Sequence, residues 1–154
     1  MKYSYKWLKK IVDFDKTPQE LAEDLSCKSV EIENIERFGG DFLETVVVGE
    51  IKEIEKHPDA DKLKVAKVDV GSNILQIVCG APNIEVGQKV PVALVGTRLP
   101  MGEIKDAKIR GVESFGMLCA EDELGLGDDH SGILVLDNEL TAGTKLSEIY
   151  NDWI

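Results

Sequence analysis

The spacing of apolar positions changes along the chain and divides it. Between residues 4 and 13, Trp7, Leu8, Ile11 and Val12 recur at i, i+1, i+4 and i+5, one face of a helix. A second helix is predicted after Thr17: the threonine suits the N-cap, Pro18 the first helical position, and Glu20 completes a capping box. It should bury Leu21, Ala22 and Leu25 and end near Cys27. Val30 and Ile32 then alternate with glutamates, which predicts a strand reaching Phe38 before the breaker pair Gly39-Gly40. Two helices and one strand make a thin core, so this part is expected to need further partner surface.

From Thr45 the pattern becomes that of short strands separated by turns. Val46–Glu55 is rich in β-branched residues, and Leu63–Val70 alternates before shifting phase at Val68 and Val70, which predicts a bulge there. Gly71-Ser72-Asn73 reads as the turn of a hairpin whose second arm is Ile74–Cys79. Lys89–Val95 and Gly132–Leu136 give two more strands, and Ile104–Ile109 a short one. Glu121–Leu124 reads as one helical turn and Thr144–Tyr150 as a short final helix. The class is mainly β with minor α, and about five strands without a long helix predict a small closed barrel rather than a sandwich.

Composition adds exclusions. No apolar run approaches the roughly 18 residues of a membrane-spanning helix, and no apolar signal region follows the N-terminus. Three cysteines without a C-x-x-C pair fit a reducing cytoplasm. The net charge of −11 argues at first against nucleic acid, but it is unevenly placed. Residues 1–39 and 40–111 each carry −1, whereas 112–154 carry −9, with Lys145 the single basic group. The middle part holds two basic clusters, Lys62, Lys64 and Lys67, and Arg98, Lys105, Lys108 and Arg110. Screening limits electrostatic reach to about 8–10 Å, so these clusters matter more than the total.

Catalytic and metal chemistry finds little support. His57 and His130 read as surface-turn histidines, and Cys79 and Cys119 as small hydrophobes, without metal-ligand spacing. Cys119 lies beside Glu121-Asp122-Glu123, the wrong field for a thiolate nucleophile. The acidic stretch, with Asp128 and Asp129, lacks the alternation of a calcium loop and reads as solvated. The glycines form no phosphate-binding motif. A groove of lysines and arginines on a small barrel suits single-stranded nucleic acid, although Phe42 and Phe115 are the only aromatics between Gly39 and Gly143.

Particular words go further. His57-Pro58-Asp59-Ala60-Asp61-Lys62-Leu63, Val68-Asp69-Val70-Gly71 and Gln76-Ile77-Val78-Cys79-Gly80-Ala81-Pro82-Asn83 resemble the tRNA-binding oligonucleotide-binding-fold (OB-fold) domain. Lys108–Ser114, Gly116–Glu121 and Glu123–Gly127, with Ser4–Leu8 and Thr17–Leu21, resemble the N-terminal segment of the bacterial phenylalanyl-tRNA synthetase β-subunit family. Ser29 stands where that family usually has glycine, and Ala120 where serine is common.

The resemblance implies an OB-fold five-stranded barrel inserted after an N-terminal helix-helix-strand segment. Residues 1–39 would be the first part of a split α/β domain, 40–150 the tRNA-binding barrel, and 151–154 the return into the split domain. It implies no catalytic residue and no metal ligand here, with ATP and magnesium used elsewhere in the parent enzyme. The implied partners are phenylalanine-specific tRNA, the α subunit and the rest of β, as two α and two β chains in the cytoplasm, with no membrane. The implied RNA-facing residues are Lys62, Lys64, Asn83, Arg110, Ser114 and Met117: cations for phosphate, Asn83 and Ser114 for sugar or backbone. Two competing readings are a free-standing tRNA-binding protein of the same fold and a protein-interaction module with an acidic tail.

Overall fold

The computed structural model describes residues 1–37 and 40–152. Phe38, Gly39, Trp153 and Ile154 lie outside the described residues, and with them the end of the predicted first strand, half of the Gly39-Gly40 boundary and the end of the predicted return. Helix α1 (Tyr5–Ile11) starts at Ser4, whose hydroxyl accepts the Trp7 N–H at 3.0 Å. It buries no residue: Trp7, Ile11 and Val12 remain at least half exposed. Helix α2 (Pro18–Lys28) carries the expected capping box, with Glu20 N–H on Thr17 Oγ1 and Thr17 N–H on Glu20 Oε2. Its Leu21, Ala22 and Leu25 are only partly covered. Ser29 closes the helix at φ −149°, without the left-handed cap that a glycine would favour.

Residues 30–36 form no strand and Arg37 makes only an isolated bridge, which corrects the expected alternation. The Ile32 N–H is taken by Ser26 Oγ at 3.0 Å, a local bond that competes with strand pairing, and Val30 is exposed.

A 3-10 turn (Asp41–Thr45) leads into the barrel. Its strands are β1 (Val46–Lys56), β2 (Lys64–Asp69), β3 (Ile74–Cys79), β4 (Lys89–Ala93) and, after two small hairpins, β9 (Met117–Leu118). They lie in the order β3-β2-β1-β4-β9, with every neighbouring pair antiparallel. The hairpins are β5 (Arg98–Leu99) with β6 (Gly102–Glu103), and β7 (Ala107–Ile109) with β8 (Val112–Ser114). The free edge of β3 is closed by the end of β8 and by Phe115, the residue after it. Phe115 N–H donates to Gln76 O at 2.8 Å, Gln76 Nε2 to Glu113 O, and Val78 N–H to Ser114 Oγ at 3.0 Å. The sheet is thereby a nearly closed OB-type barrel, which covers an otherwise exposed edge.

Ile51, Ala66, Val68, Ile77, Val90 and Val92 fill the barrel interior. Gly49 lets β1 pass between its neighbours: a Cβ there would lie 2.5 Å from both Val68 Cγ1 and Val92 Cγ2. The predicted bulge belongs to the opposite strand. The pairing steps from Ile51↔Val68 to Glu53↔Lys67, so the extra residue is Lys52 on β1. β2 itself alternates without a shift, because Ala66 is an inward position and Val65 points to the other face.

A second apolar cluster, including Leu43, Val46, Val48, Leu124, Leu136 and Leu146, packs outside the barrel under the 3-10 turn, the 119–126 loop and helix α3 (Leu146–Ile149). Gly132–Leu136 is not a strand but touches β4 at one pairing, Lys89↔Leu136. β9 already occupies that side of β4 at Val92 and Ala93. Glu121–Leu124 forms hydrogen-bonded turns rather than regular helix.

Candidate nucleic-acid interface

An open cleft of about 740 Å³ lies between three connections: the β1–β2 loop (57–63), the β4–β9 segment (94–116) and the 130–133 loop. Its floor is apolar, with Leu63, Val78, Ile104, Ile109 and Met117, and among the described residues no Phe, Tyr or Trp lines it. In five-stranded OB barrels, the loops joining the first to the second strand and the fourth to the fifth flank the oligonucleotide surface. The first two connections named here occupy those positions.

The expected site residues fall into two groups. Lys62 is exposed in the turn before β2, and Lys64 begins β2 opposite both Lys56 and the cleft-lining Cys79. Arg110 stands at the tip of the β7–β8 hairpin, directly after Ile109. These cations therefore come from the two flanking loops. Among the described residues, Lys56, Lys62, Lys64, Lys108 and Arg110 have no carboxylate within ion-pair distance. Elsewhere on the barrel, Lys52 and Lys89 both engage Glu50, at 3.0 and 2.9 Å, and hold its carboxyl below the usual range. Two lysines directly opposite one another, as Lys56 and Lys64 are, disfavour a strand pair.

The second group braces the cleft. Ser114 is 2% exposed; its hydroxyl accepts from Val78 N–H and donates to Gly116 O. The Asn83 amide pairs in both directions with Ile133, Nδ2 to Ile133 O and Ile133 N–H to Oδ1, each at 2.9 Å. Met117 lines the cleft and packs on the outer apolar cluster. The hydrogen-bonding groups of Asn83 and Ser114 thus hold chain segments together.

His57 departs most from expectation. It is 5% exposed rather than on the surface, and both ring nitrogens are used. Nδ1 accepts Asp59 N–H at 3.0 Å, and Nε2 lies 2.8 Å from Ile109 O, a pairing that fits the Nε2-protonated neutral ring. The signal available in the sequence was its place beside Pro58, in a word rich in turn formers.

The opposite rim is acidic and internally bonded. Glu123 accepts Ala120 N–H at 2.7 Å, Asp129 caps Ser131, and Asp122 holds His130 Nδ1 at 2.9 Å. That bond to Asp122 raises the His130 pKa above the ordinary imidazole value. Burial pushes the Cys79 thiol up; burial, then the nearby Glu123, pushes the Cys119 thiol to about 12. Neither is a thiolate at neutral pH. Among the described residues, no group of three or more histidines, cysteines or carboxylates is arranged to hold a metal ion, and no helix is long and apolar enough to cross a membrane.

Comparison with known proteins agrees with this geometry. The family model described as "Putative tRNA binding domain" matches residues 46–145, from the start of β1 to the residue before α3. The chain is 52% identical to the phenylalanine–tRNA ligase β subunit of Nitratidesulfovibrio vulgaris over 95% of its length, and 48% identical to that of Bacteroides thetaiotaomicron over 98%. It spans only 18% and 19% of those relatives. Among solved structures it is similar to the MetRS related protein from Pyrococcus horikoshii. The TM-score is 0.50 at 25% identity, over 65% of this chain and 86% of that one. The barrel, its two cation-bearing loops and the matched residues together make this chain a member of the tRNA-binding domain family.

Proposed function

We propose that the chain is the non-catalytic tRNA-handling and assembly segment of a phenylalanine–tRNA ligase β subunit, and that Lys62, Lys64 and Arg110 meet the tRNA backbone. The observation that carries this reading is the set of cations beside the cleft that have no carboxylate partner among the described residues, where Lys52 and Lys89 of the same barrel share Glu50 and Lys67 is held by Gln76. Phosphate supplies the missing counter-charge. Cations of this kind position an RNA through its phosphates without reading base edges. Binding then follows backbone position and shape rather than base identity.

In this reading Asn83, Ser114 and Met117 shape the surface instead of touching RNA. ATP and magnesium serve the parent enzyme. The α subunit and the rest of β, two of each, complete a cytoplasmic assembly that joins phenylalanine to its tRNA. Residues 1–39 and 151–154 belong to one split domain. Support comes from Asp152, whose carboxylate accepts Lys6 N–H at 3.0 Å and the Ser4 hydroxyl at the start of α1. The acidic terminal stretch keeps binding by the isolated segment weak.

The test is a salt titration of tRNA binding by the chain and by the variant carrying Lys62→Glu, Lys64→Glu and Arg110→Glu. The slope of log affinity against log salt should fall by about 2–3 as three phosphate contacts are lost. An unchanged slope with unchanged affinity contradicts the reading.

A further inference from the structure

We propose that His57 is a positioning residue of the RNA-facing surface, a neutral imidazole clamp that fastens the β1–β2 loop to the β7–β8 hairpin. By doing so it fixes where Lys62 and Lys64 stand relative to Arg110. The proposal rests on the function just given, but its structural part can be tested without RNA.

The two cationic loops belong to connections far apart in sequence, and little joins them directly. Among the described residues, the contact between His57 Nε2 and Ile109 O is the one hydrogen bond between residues 57–63 and 94–116. On the first side, His57 N–H donates to Leu63 O at 3.1 Å and closes the loop base, while Nδ1 holds Asp59 N–H. On the other side, the bonded carbonyl belongs to the residue just before the tip. Arg110 and Gly111 there have φ of +48° and +87°, the arrangement of a tight two-residue hairpin turn. The ring thus reaches the base of the turn that presents Arg110.

The chemistry selects histidine. The position needs a donor at one end and an acceptor at the other, both away from water, held by a rigid flat spacer. A neutral imidazole supplies both, and a charged ring would place a second N–H against the Asp59 N–H. An apolar residue of similar size would leave the Ile109 carbonyl and the Asp59 amide short of these partners.

The test compares His57→Phe, which keeps a flat ring but loses both bonds, with His57→Gln, whose amide nitrogen can donate to Ile109 O at the reach of the ring Nε2. Each is made in the native chain and with Arg110→Ala. Binding of a tRNA transcript and amide exchange in residues 107–114 are measured. His57→Phe should weaken binding about tenfold, because one of the two lost bonds is the one that joins the loops. It should also speed exchange in the hairpin while the β1 and β4 amides stay protected. His57→Gln should restore binding to within about threefold. In the Arg110→Ala chain, His57→Phe should cost less than about twofold, because the residue it positions is gone.

Undiminished binding by His57→Phe, where charge reversal at Lys62, Lys64 and Arg110 abolishes it, overturns the clamp and leaves the function standing. Charge reversal without effect overturns the function, and unchanged hairpin exchange then overturns the clamp as well. Should His57→Phe not fold, His57→Asn, too short to reach Ile109, takes its place against His57→Gln under the same criteria.

Discussion

Arg110 occupies a backbone region that costs a non-glycine residue about 1–2 kcal/mol, at a turn position where asparagine is the easier choice. A side chain kept at such a tip points to a role outside folding. Arg110→Asn is therefore expected to stabilise the chain by about 0.5–1 kcal/mol in thermal unfolding while weakening tRNA binding. The cysteines give the opposite kind of residue. Buried Cys79 and Cys119, with thiols pushed up, should resist a thiol reagent at neutral pH in the folded chain, whereas exposed Cys27 reacts; unfolding should release all three. His130 is exposed, and its pKa is raised by Asp122. Whatever the pair contributes is present in acid and fades as pH rises through that raised midpoint. Asp122→Asn should move the His130 midpoint down in an NMR titration.

Between elements, single side chains do much of the joining. Asn83→Ala removes both bonds to Ile133 and leaves that backbone short of partners, so a loss of about 1–3 kcal/mol is expected in urea unfolding. The same comparison shows what the sequence could and could not disclose. The capping box at Thr17, the β2–β3 hairpin and the long β1 strand were readable because each rests on neighbours within a few residues. The segments 30–37 and 132–136 alternate like strands yet pair with little or nothing, since strand formation depends on a free edge that spacing alone does not reveal. The bulge lies on β1 and not on β2 because Ala66, small and weakly apolar, is a fully buried inward residue that keeps β2 in phase. Lys62, Lys64 and Arg110 were legible as cations in recognisable words. The tie between His57 and Ile109 spans residues far apart in sequence and was not.

Over the whole molecule, the charge of −11 resolves into an acidic end and a nearly neutral barrel, with Lys62, Lys64, Lys108 and Arg110 beside the cleft and without carboxylate partners among the described residues. Acidic groups on the opposite rim, Glu123, Asp122 and Asp129, are engaged by backbone or His130 and repel phosphate from that side. The surface therefore has a side that RNA can approach and one it should avoid. The most direct test is an NMR titration of the labelled chain with tRNA at low salt, following backbone amides. The account predicts shifts concentrated in residues 57–64 and 107–114, lost as salt is raised, with little change at 70–75 or 121–131. Shifts centred on 70–75, 94–95 and 143, with residues 57–64 and 107–114 unmoved, would contradict it.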